Sequence, residues 1–348
     1  MALKRVTIQN IADACGLSRN TVSKIFNNRG EVPETTRQLV LNKAQELGYF
    51  QPMDETMLNR PVEQNKCILV LSQRNPMNHS FGSLFVTAFT NQVSRAGYTV
   101  KMYEVTAEEL AQCALPPNTS IDSIAGILGI ELFDYDFWNT VCGLKLPTII
   151  VDGYAYIYQK PMPCDLISME NVSSTRILTH RLIQAGAEKL GFVGDINHCN
   201  SFYERWNGFQ LALNEAGLPL DRDLCIMPKN SSPYYDPDWI DDQLKRLPAL
   251  PDAFVCVNDY HAIHIMAGLK RRGLQIPRDV MITGFDSSPE SAIVEPALTT
   301  SAIPGTDMGK IAADLLIDRI GNPAKPFCAT YVSTVPQFRG SIRQTAEC

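Results

Sequence analysis

Apolar residues at helical spacing open the chain. Ile8, Ile11, Ala12 and Cys15 recur at i, i+3, i+4 and i+7, a spacing that predicts a helix over residues 8–15. Thr7, just ahead of this stripe, is placed to cap the helix.

A second short helix is predicted directly after the first. Gly16 supplies the backbone freedom for a tight turn, Leu17 fills the inside of that turn, and Ser18 can cap the second helix. The buried stripe of the second helix is then formed by Val22, Ile25 and Phe26.

The pattern continues into a third helix that begins at Val32, Pro33 and Glu34. Its apolar positions, Val40, Ala44 and Leu47, again repeat at helical spacing. Residues 1–50 are therefore predicted to form a three-helix core.

Two helices joined by a glycine turn make a helix-turn-helix, whose second helix enters the DNA major groove. The polar side of the second helix carries side chains that can bond base edges or phosphates. The alternative is a solvated helix in a generic bundle. The outward residues are Arg19, Asn20, Ser23, Lys24 and Asn27.

Charge separates the front of the chain from the rest. The 348 residues carry a formal charge of −6, yet residues 1–50 alone hold +3, which leaves −9 for the remainder. The length and the 45% hydrophobic content fit two or three domains. This asymmetry indicates a small domain that meets a polyanion and a larger body with another task.

Several function classes have little support. The ten cysteines include no C-x-x-C pair, and Cys256, His261 and His264 lack a second thiol at ligand spacing, so neither zinc nor another cofactor is expected. No nucleophile elbow or P-loop occurs, and the G-x-x-G of Gly126 and Gly129 is not a full dinucleotide motif, so we do not expect an enzyme. Without a leader or an apolar span, a cytoplasmic protein is expected.

From residue 66 onward, short apolar runs alternate with amphipathic stretches. The runs CILVLS, IAGILGI, PTIIVD, KLGFVG, AFVCV and DVMITGF predict strands of parallel sheets covered by helices on both faces. Such sheets bind ligands at the carboxyl ends of their strands. Four polar residues stand at those ends: Asp152, Asn258, Asp259 and Asp286.

The run VTIQNIADACGLSRNTVSKIFNNRGEVPETTRQLVLNKAQELGYF resembles the DNA-binding headpiece of the lactose-repressor (LacI) family of bacterial transcription factors. The later runs VNDYHAIHIMAGLKRRGLQIPRDVMITGFD, EPALTTSAI, MGKIAADLLIDRI and FRGSI resemble the effector-binding core of the same family. The resemblance implies an α helix-turn-helix headpiece plus an α/β core like the periplasmic sugar-binding proteins, with two Rossmann-like lobes and a cleft between them.

The resemblance also assigns residues on the DNA side. It implies base readers at Arg19, Asn20, Ser23 and Lys24, and phosphate or groove contacts at Thr7, Gln9, Ser18, Thr21, Asn27 and Tyr49. Asn10 replaces the acidic residue that is usual in the first helix.

Residues 51–65 correspond to the hinge of this family. Leu58 stands where the family wedges a leucine into the minor groove, so Leu58→Ala is expected to weaken operator binding about tenfold or more. Asp54 and Glu55 are unfavourable near phosphates, although they could stabilise the first turn of a hinge helix. The alternative is that Leu58 only packs against its dimer mate.

Carried over by position, the residues that line the cleft are His79, Phe81, Asp152, Ser201, Arg205, Asn258 and Asp286. A planar guanidinium, carboxylates and an aromatic face suit a sugar or a sugar derivative. The alternative for Ser201 and Asp259 is that they only cap the helices that come next in the chain. Further stacking candidates, each of which could equally be ordinary packing, are Tyr154, Tyr234, Tyr235 and Trp239.

The first lobe departs from the family at SQRNPMNHSFG, and Glu170 stands where aspartate is usual. The effector could therefore be a nucleoside or another metabolite instead of a sugar. A stand-alone sugar-binding protein would have no use for residues 1–50.

The sequence thus predicts a headpiece at 1–50, a hinge at 51–65 and a core at 66–345. Within the core, we expect a first lobe at about 66–163 and 298–326 and a second at about 164–297 and 327–345. The expected function is a DNA-binding transcriptional regulator, a repressor, whose affinity for a near-palindromic operator depends on a bound effector. A two-fold operator calls for a homodimer, and the absence of an added leucine heptad speaks against a tetramer.

Overall fold

A computed structural model describes residues 7–26, 32–47, 67–78, 80–116, 120–160, 162–229 and 232–344. The chain divides into two units, Met1–Gln64 and Asn65–Cys348. None of the helices in these described ranges combines the length and apolarity needed to cross a bilayer.

The first unit contains the three predicted helices: α1 (Ile8–Cys15), α2 (Arg19–Phe26) and α3 (Glu34–Glu46). Their buried core is formed by Ile11, Ala12, Val22, Ile25, Val40 and Ala44. The third helix starts at Glu34, so Val32 lies before the helix. Val32 is partly buried and packs against the core of the three helices. Leu47 follows α3 and is 36% exposed, so its predicted place in the core is wrong.

The second unit begins with a lobe built on six parallel strands in the order β10-β5-β4-β3-β1-β2. The strands are β1 (Cys67–Ser72), β2 (Thr99–Glu104), β3 (Ile124–Ile130), β4 (Thr148–Val151), β5 (Asp165–Met169) and β10 (Ala329–Val332). The helices of this lobe are α4 (Ser80–Arg95), α5 (Ala107–Ala111), α6 (Tyr135–Gly143) and α12 (Gly305–Gly321).

Two apolar cores cover the two faces of this sheet, as expected for a parallel sheet with buried strands. On one face Phe85 and Phe89 of α4 pack with Leu316 of α12. On the other face Phe137 and Trp138 of α6 pack against the strands.

The second lobe has a smaller parallel sheet in the order β6-β7-β8, with β9 and β11 paired antiparallel beside it. The strands are β6 (Leu190–Val193), β7 (Ala253–Cys256), β8 (Met281–Thr283), β9 (Thr300–Ala302) and β11 (Val335–Gln337). The helices are α7 (Val172–Gln184), α8 (Asn200–Glu215), α9 (Pro237–Arg246), α10 (Asp259–Arg271) and α11 (Pro289–Ile293).

All six strands predicted from apolar runs are present, but the predicted lobe boundaries fall too early. Asp165–Met169 and Ala329–Val332 were expected in the second lobe, whereas β5 and β10 pair with each other in the first sheet. The strand β5 was not predicted from the apolar runs because its first residue, Asp165, is a carboxylate. Asp165 is buried there because Arg319 of α12 donates to its two carboxylate oxygens at 2.7 and 2.8 Å.

Candidate functional site

The start of α1 is held by a reciprocal capping box. The backbone N–H of Asn10 donates to Thr7 Oγ1 at 3.4 Å, and the backbone N–H of Thr7 donates to Asn10 Oδ1 at 2.9 Å. An amide oxygen thus does the work of the carboxylate that is usual at this position. Thr7 stays exposed, and its contact with DNA remains a prediction.

The turn between α1 and α2 depends on Gly16, whose φ of +66° lies in the left-handed region. Ser18 then caps α2, because its Oγ accepts a hydrogen bond from the backbone N–H of Thr21 at 3.0 Å. Leu17 packs against the helical core inside this turn. These contacts set the direction in which α2 leaves the turn.

The polar side of α2 faces away from the core. Arg19, Asn20 and Lys24 are exposed and Ser23 is half-buried, while Val22 and Ile25 are buried on the opposite side. Gln9 is also exposed and donates to Asp13 Oδ1 at 2.7 Å. Three further predicted DNA contacts, Asn27, Tyr49 and Leu58, lie outside the described residues, as does the predicted hinge.

In the second unit, Asp152 joins the end of β4 in the first lobe to the start of α8 in the second. Its Oδ1 accepts a hydrogen bond from the backbone N–H of Ser201 at 2.8 Å, and Gly153 O accepts one from the backbone N–H of Asn200 at 3.0 Å. Burial is the main cause that raises the pKa of Asp152 to about 6, against the opposing effect of the Ser201 hydrogen bond.

Arg205 of α8 is the most heavily bonded of the predicted cleft residues. Its Nε donates to Asn171 Oδ1 at 2.9 Å, and its Nη1 donates to Val257 O at 2.6 Å and lies 3.6 Å from Asp286 Oδ1. The guanidinium also stands over the ring of Phe285, with its Cζ 3.7 Å from the ring centroid. Arg205 is only 3% exposed, so these contacts hold its planar group in one orientation.

Backbone strain marks both carboxylates of this region. Asp152 follows β4 with a φ of +65°, and Asp286 follows β8 with a φ of +116°. Non-glycine residues seldom adopt such angles, and they concentrate where the surrounding structure holds a functional group in place.

A buried asparagine that the sequence analysis did not select connects these groups. Asn171, two residues after β5, donates from Nδ2 to Met169 O and to Glu204 Oε2, both at 2.8 Å. Glu204 Oε1 in turn accepts a hydrogen bond from the hydroxyl of Tyr331 on β10 at 2.5 Å. Asn171 could have been found from its place beyond a strand end, had β5 been recognised.

Asn258 and Asp259 have separate tasks at the end of β7. Asn258 is the N-cap of α10, because its Oδ1 accepts from the backbone N–H of His261 at 2.9 Å. Asp259 is buried and accepts from the Thr300 hydroxyl at 2.6 Å and from the Ser288 backbone N–H at 2.7 Å. The capping alternative was therefore wrong for Asp259, and also for Ser201, because Cys199 is the N-cap of α8.

Residues 7–51 match the family model of the lacI family of bacterial regulatory proteins, and residues 179–342 match that of the periplasmic binding protein-like domain. The chain belongs to the LacI family. The first match covers the headpiece, and the second covers the part of the two-lobed core from residue 179 to residue 342.

Relatives of this LacI-family protein extend over nearly its whole length. The HTH-type transcriptional regulator reg1 of Streptomyces lividans is 25% identical over 329 residues, which cover 92% of this chain and 91% of that protein. The HTH-type transcriptional repressor PurR of Pasteurella multocida is 24% identical over 336 residues, 92% of this chain and 93% of that protein. The protein is therefore a DNA-binding transcriptional regulator.

Solved structures share the fold of this LacI-family chain. A complex of the transcriptional regulator CelR with cellobiose has a TM-score of 0.68 at 22% identity, covering 97% of this chain and 100% of that one. The lac repressor dimer bound to operator and the anti-inducer ONPF has a TM-score of 0.64 at 18% identity, covering 97% and 99%.

The remaining predicted cleft residues of the LacI-family core are aromatic or lie outside the described ranges. Phe81, in the first turn of α4, is half-buried, with its ring centroid 5.8 Å from that of Phe85. His79 is not among the described residues. Tyr154 is buried and meets Tyr135 edge-on at 5.3 Å, which is packing within the first lobe.

Proposed function

We propose that this LacI-family regulator binds a near-palindromic operator as a homodimer. A small polyhydroxylated effector, a sugar or a sugar derivative, binds between the lobes and controls the affinity of the dimer for that operator. The observation that supports this most is the buried guanidinium of Arg205, which lies 3.6 Å from Asp286 Oδ1 at the carboxyl edge of the second sheet. A fixed guanidinium beside a carboxylate offers donors and acceptors in the geometry that neighbouring hydroxyls need.

On the DNA side, base edges are read by Arg19, Asn20, Ser23 and Lys24. Phosphates or groove edges are contacted by Thr7, Gln9, Ser18 and Thr21. The exposure of Arg19, Asn20 and Lys24 and the buried opposite side of α2 support these roles. The resemblance extends the same assignment to Asn27 and Tyr49 at the groove and to Leu58 in the hinge.

The operator proposal is tested by selecting bound sequences from random duplexes and measuring affinity against salt. We expect a symmetric consensus and an affinity that falls steeply with salt, because each neutralised phosphate releases counterions. Asn20→Ala should relax the consensus at one position of each half-site, whereas Gln38→Ala, on α3, should not. No preference over random duplex would contradict the proposal.

On the effector side, the site is lined by Phe81, Asp152, Ser201, Arg205, Asn258 and Asp286. The resemblance adds His79 to this set. The site joins both lobes, because Asp152 of the first lobe holds the backbone of Ser201 in the second. A structural neighbour holds cellobiose and another holds ribose, which favours a carbohydrate here.

A thermal-shift screen tests the effector class. The panel contains ribose, cellobiose, other common monosaccharides, disaccharides and alditols, and the nucleosides adenosine and inosine. A ligand that binds the folded protein raises its melting temperature by mass action. We expect a carbohydrate to do so, and the shift to disappear in Arg205→Ala and Asp286→Ala. A response to nucleosides alone would favour the alternative of a nucleoside corepressor.

Effector binding would act by changing how the two lobes close on one another. The ligand shifts the population of DNA-competent dimers only by its difference in affinity between the two states. A coupling of about 1–3 kcal/mol would change operator affinity about 5–150-fold. Operator titrations with and without the effector measure this coupling, and equal affinities in both would contradict it.

The homodimer is proposed because a two-fold operator is matched by two-fold protein symmetry. The exposed apolar side chains of Ile293 (82%) and Leu84 (51%) are available for such an interface. Sedimentation should give a dimer, and Leu84→Asp or Ile293→Asp should weaken it, with Leu211→Asp as the control. The regulator is proposed to act in the bacterial cytoplasm, at the nucleoid.

A further inference from the structure

Two neighbouring aromatic side chains of the second lobe have polar atoms without a hydrogen-bond partner in the described part of the chain. They are Tyr234 Oη and His261 Nε2. Tyr234 is 1% exposed and His261 is 3% exposed, and their ring centroids are 4.0 Å apart at an interplanar angle of 67°. A buried polar atom left unpaired costs about 1–3 kcal/mol, so both atoms need an explanation.

The hydrogen bonds of His261 define which of its ring nitrogens carries the proton. The backbone N–H of His261 donates to Asn258 Oδ1 at 2.9 Å, which makes that oxygen an acceptor. His261 Nδ1 lies 2.6 Å from the same oxygen and must therefore donate to it. In a neutral imidazole, Nε2 then has no proton and can only accept.

The ring of His261 stays neutral at physiological pH. Burial, together with the neighbouring His198 and His264, lowers the pKa of His261 to about 3. The pair thus consists of one obligatory acceptor, His261 Nε2, and one hydroxyl, Tyr234 Oη, that can donate or accept.

Both residues lie at the same edge of the second sheet as the proposed effector site. His261 is in the first turn of α10, directly after the carboxyl end of β7. Phe202, in the first turn of α8 beside Ser201, meets the His261 ring edge-on at 6.1 Å. Asp195, just beyond β6, is close enough to Tyr234 to help raise the pKa of its hydroxyl, although burial is the larger cause.

We propose that Tyr234 and His261 form a subsite that binds a hydroxyl group of the effector and so help to select it. This inference rests on the proposed function above. One ligand hydroxyl can donate to His261 Nε2 and accept from Tyr234 Oη at once, which satisfies both buried atoms. A ligand that presents only an acceptor at this point would leave Nε2 unpaired and bind more weakly.

The test uses Tyr234→Phe, which removes the hydroxyl and leaves the ring. Tyr260→Phe is the matched control, because Tyr260 also meets His261 edge-on, at 5.6 Å, but is 47% exposed. Each carbohydrate and alditol of the panel that binds the full-length wild type is titrated into both variants. We expect about tenfold weaker binding to Tyr234→Phe, and no change for Tyr260→Phe.

A second measurement separates a binding role from a structural one. Because no described residue pairs with Tyr234 Oη, the free Tyr234→Phe protein should melt at the wild-type temperature or above. Monodeoxy analogues of the bound carbohydrate should include one that binds the wild type at least about tenfold less tightly, and this loss should be smaller in Tyr234→Phe, where only the bond to His261 Nε2 remains to be removed.

The remaining outcomes overturn the inference in distinguishable ways. If the wild type binds a carbohydrate and Tyr234→Phe binds it equally well, the subsite is wrong while the proposed function stands. If Tyr234→Phe melts lower without ligand, the hydroxyl has a structural role and the subsite is wrong. If the wild type binds no carbohydrate or alditol of the panel, both the subsite and the carbohydrate effector are wrong.

Discussion

Asp152 Oδ1 accepts a hydrogen bond at 2.8 Å from the backbone N–H of Ser201, and this bond runs from a strand end of one lobe to a helix start of the other. The carboxylate is buried, and it faces the first turn of α8, where the helix dipole favours negative charge. Desolvation nevertheless outweighs this attraction and raises its pKa to about 6.

The raised pKa of Asp152 predicts how stability depends on pH. A carboxyl group whose folded pKa is raised contributes stability below its unfolded pKa, and that contribution is lost as the pH rises through about 6. Asp152→Asn keeps the acceptor oxygen without the charge. We therefore expect its free energy of unfolding, relative to wild type, to increase by about 2 kcal/mol between pH 4 and pH 8.

Denaturant titrations of both proteins across that pH range measure the difference. His261 has a lowered pKa, which changes stability with pH in the direction opposite to Asp152. Both proteins contain His261, so its contribution cancels in the difference between them. Asp242→Asn, which removes an exposed carboxylate on α9, is the control for replacing a carboxylate by an amide. An offset of Asp152→Asn from wild type that does not change with pH would contradict the prediction.

Arg205 is expected to matter for stability as well as for binding. Arg205→Met leaves Asn171 Oδ1 and Val257 O without their buried donor and Asp286 without its nearby cation, which should cost about 3 kcal/mol. Arg271→Met removes a more exposed ion pair with Asp241 at 3.0 Å and should cost less than about 1 kcal/mol. Calorimetric unfolding compares the two, and equal losses would argue against a specially held guanidinium.

Gly129 is expected to be intolerant of any side chain. A Cβ at this position would lie 2.1 Å from Cζ2 of Trp138, and Trp138 is fully buried with its Nε1 donating to Leu132 O at 2.8 Å. Gly129→Ala should therefore destabilise the core by about 3 kcal/mol. Gly143→Ala has open space and should be neutral or slightly stabilising. Melting curves with similar midpoints for both variants would contradict this account.

Gly16 tests the turn between the two helices of the DNA-binding motif. Nothing lies within 4 Å of a Cβ built there, so only the positive φ of +66° opposes substitution. Gly16→Ala should cost about 1–2 kcal/mol, and Gly16→Asn, which tolerates this region better, should cost less. The melting temperature of the headpiece and the operator affinity should follow that order. A Gly16→Ala variant as stable as wild type would contradict the claim that the positive φ of this turn opposes substitution.

Much of the architecture could be predicted because it depends on local patterns. Ile11, Val22 and Val40 lie where their helical spacing places them, and the apolar run IAGILGI forms a fully buried strand. The exposed edge strand β2 was missed, because TVKMYE carries polar residues and its apolar ones are half-buried or exposed. The edge strand β2 is held in the sheet by backbone hydrogen bonds to β1 and less by an apolar face. Backbone hydrogen bonds leave little trace in the sequence.

The sequence by itself determined the headpiece, the alternation of strands and helices, and the polar residues at strand ends, since each follows from spacing over a few positions. Only the tertiary structure decided that Asn171 connects Arg205 to Glu204, and that Tyr234 stands beside His261. These partners are far apart along the chain and meet only after helices and a sheet have packed. Which buried polar atoms find partners is a property of that packing and not of any local pattern.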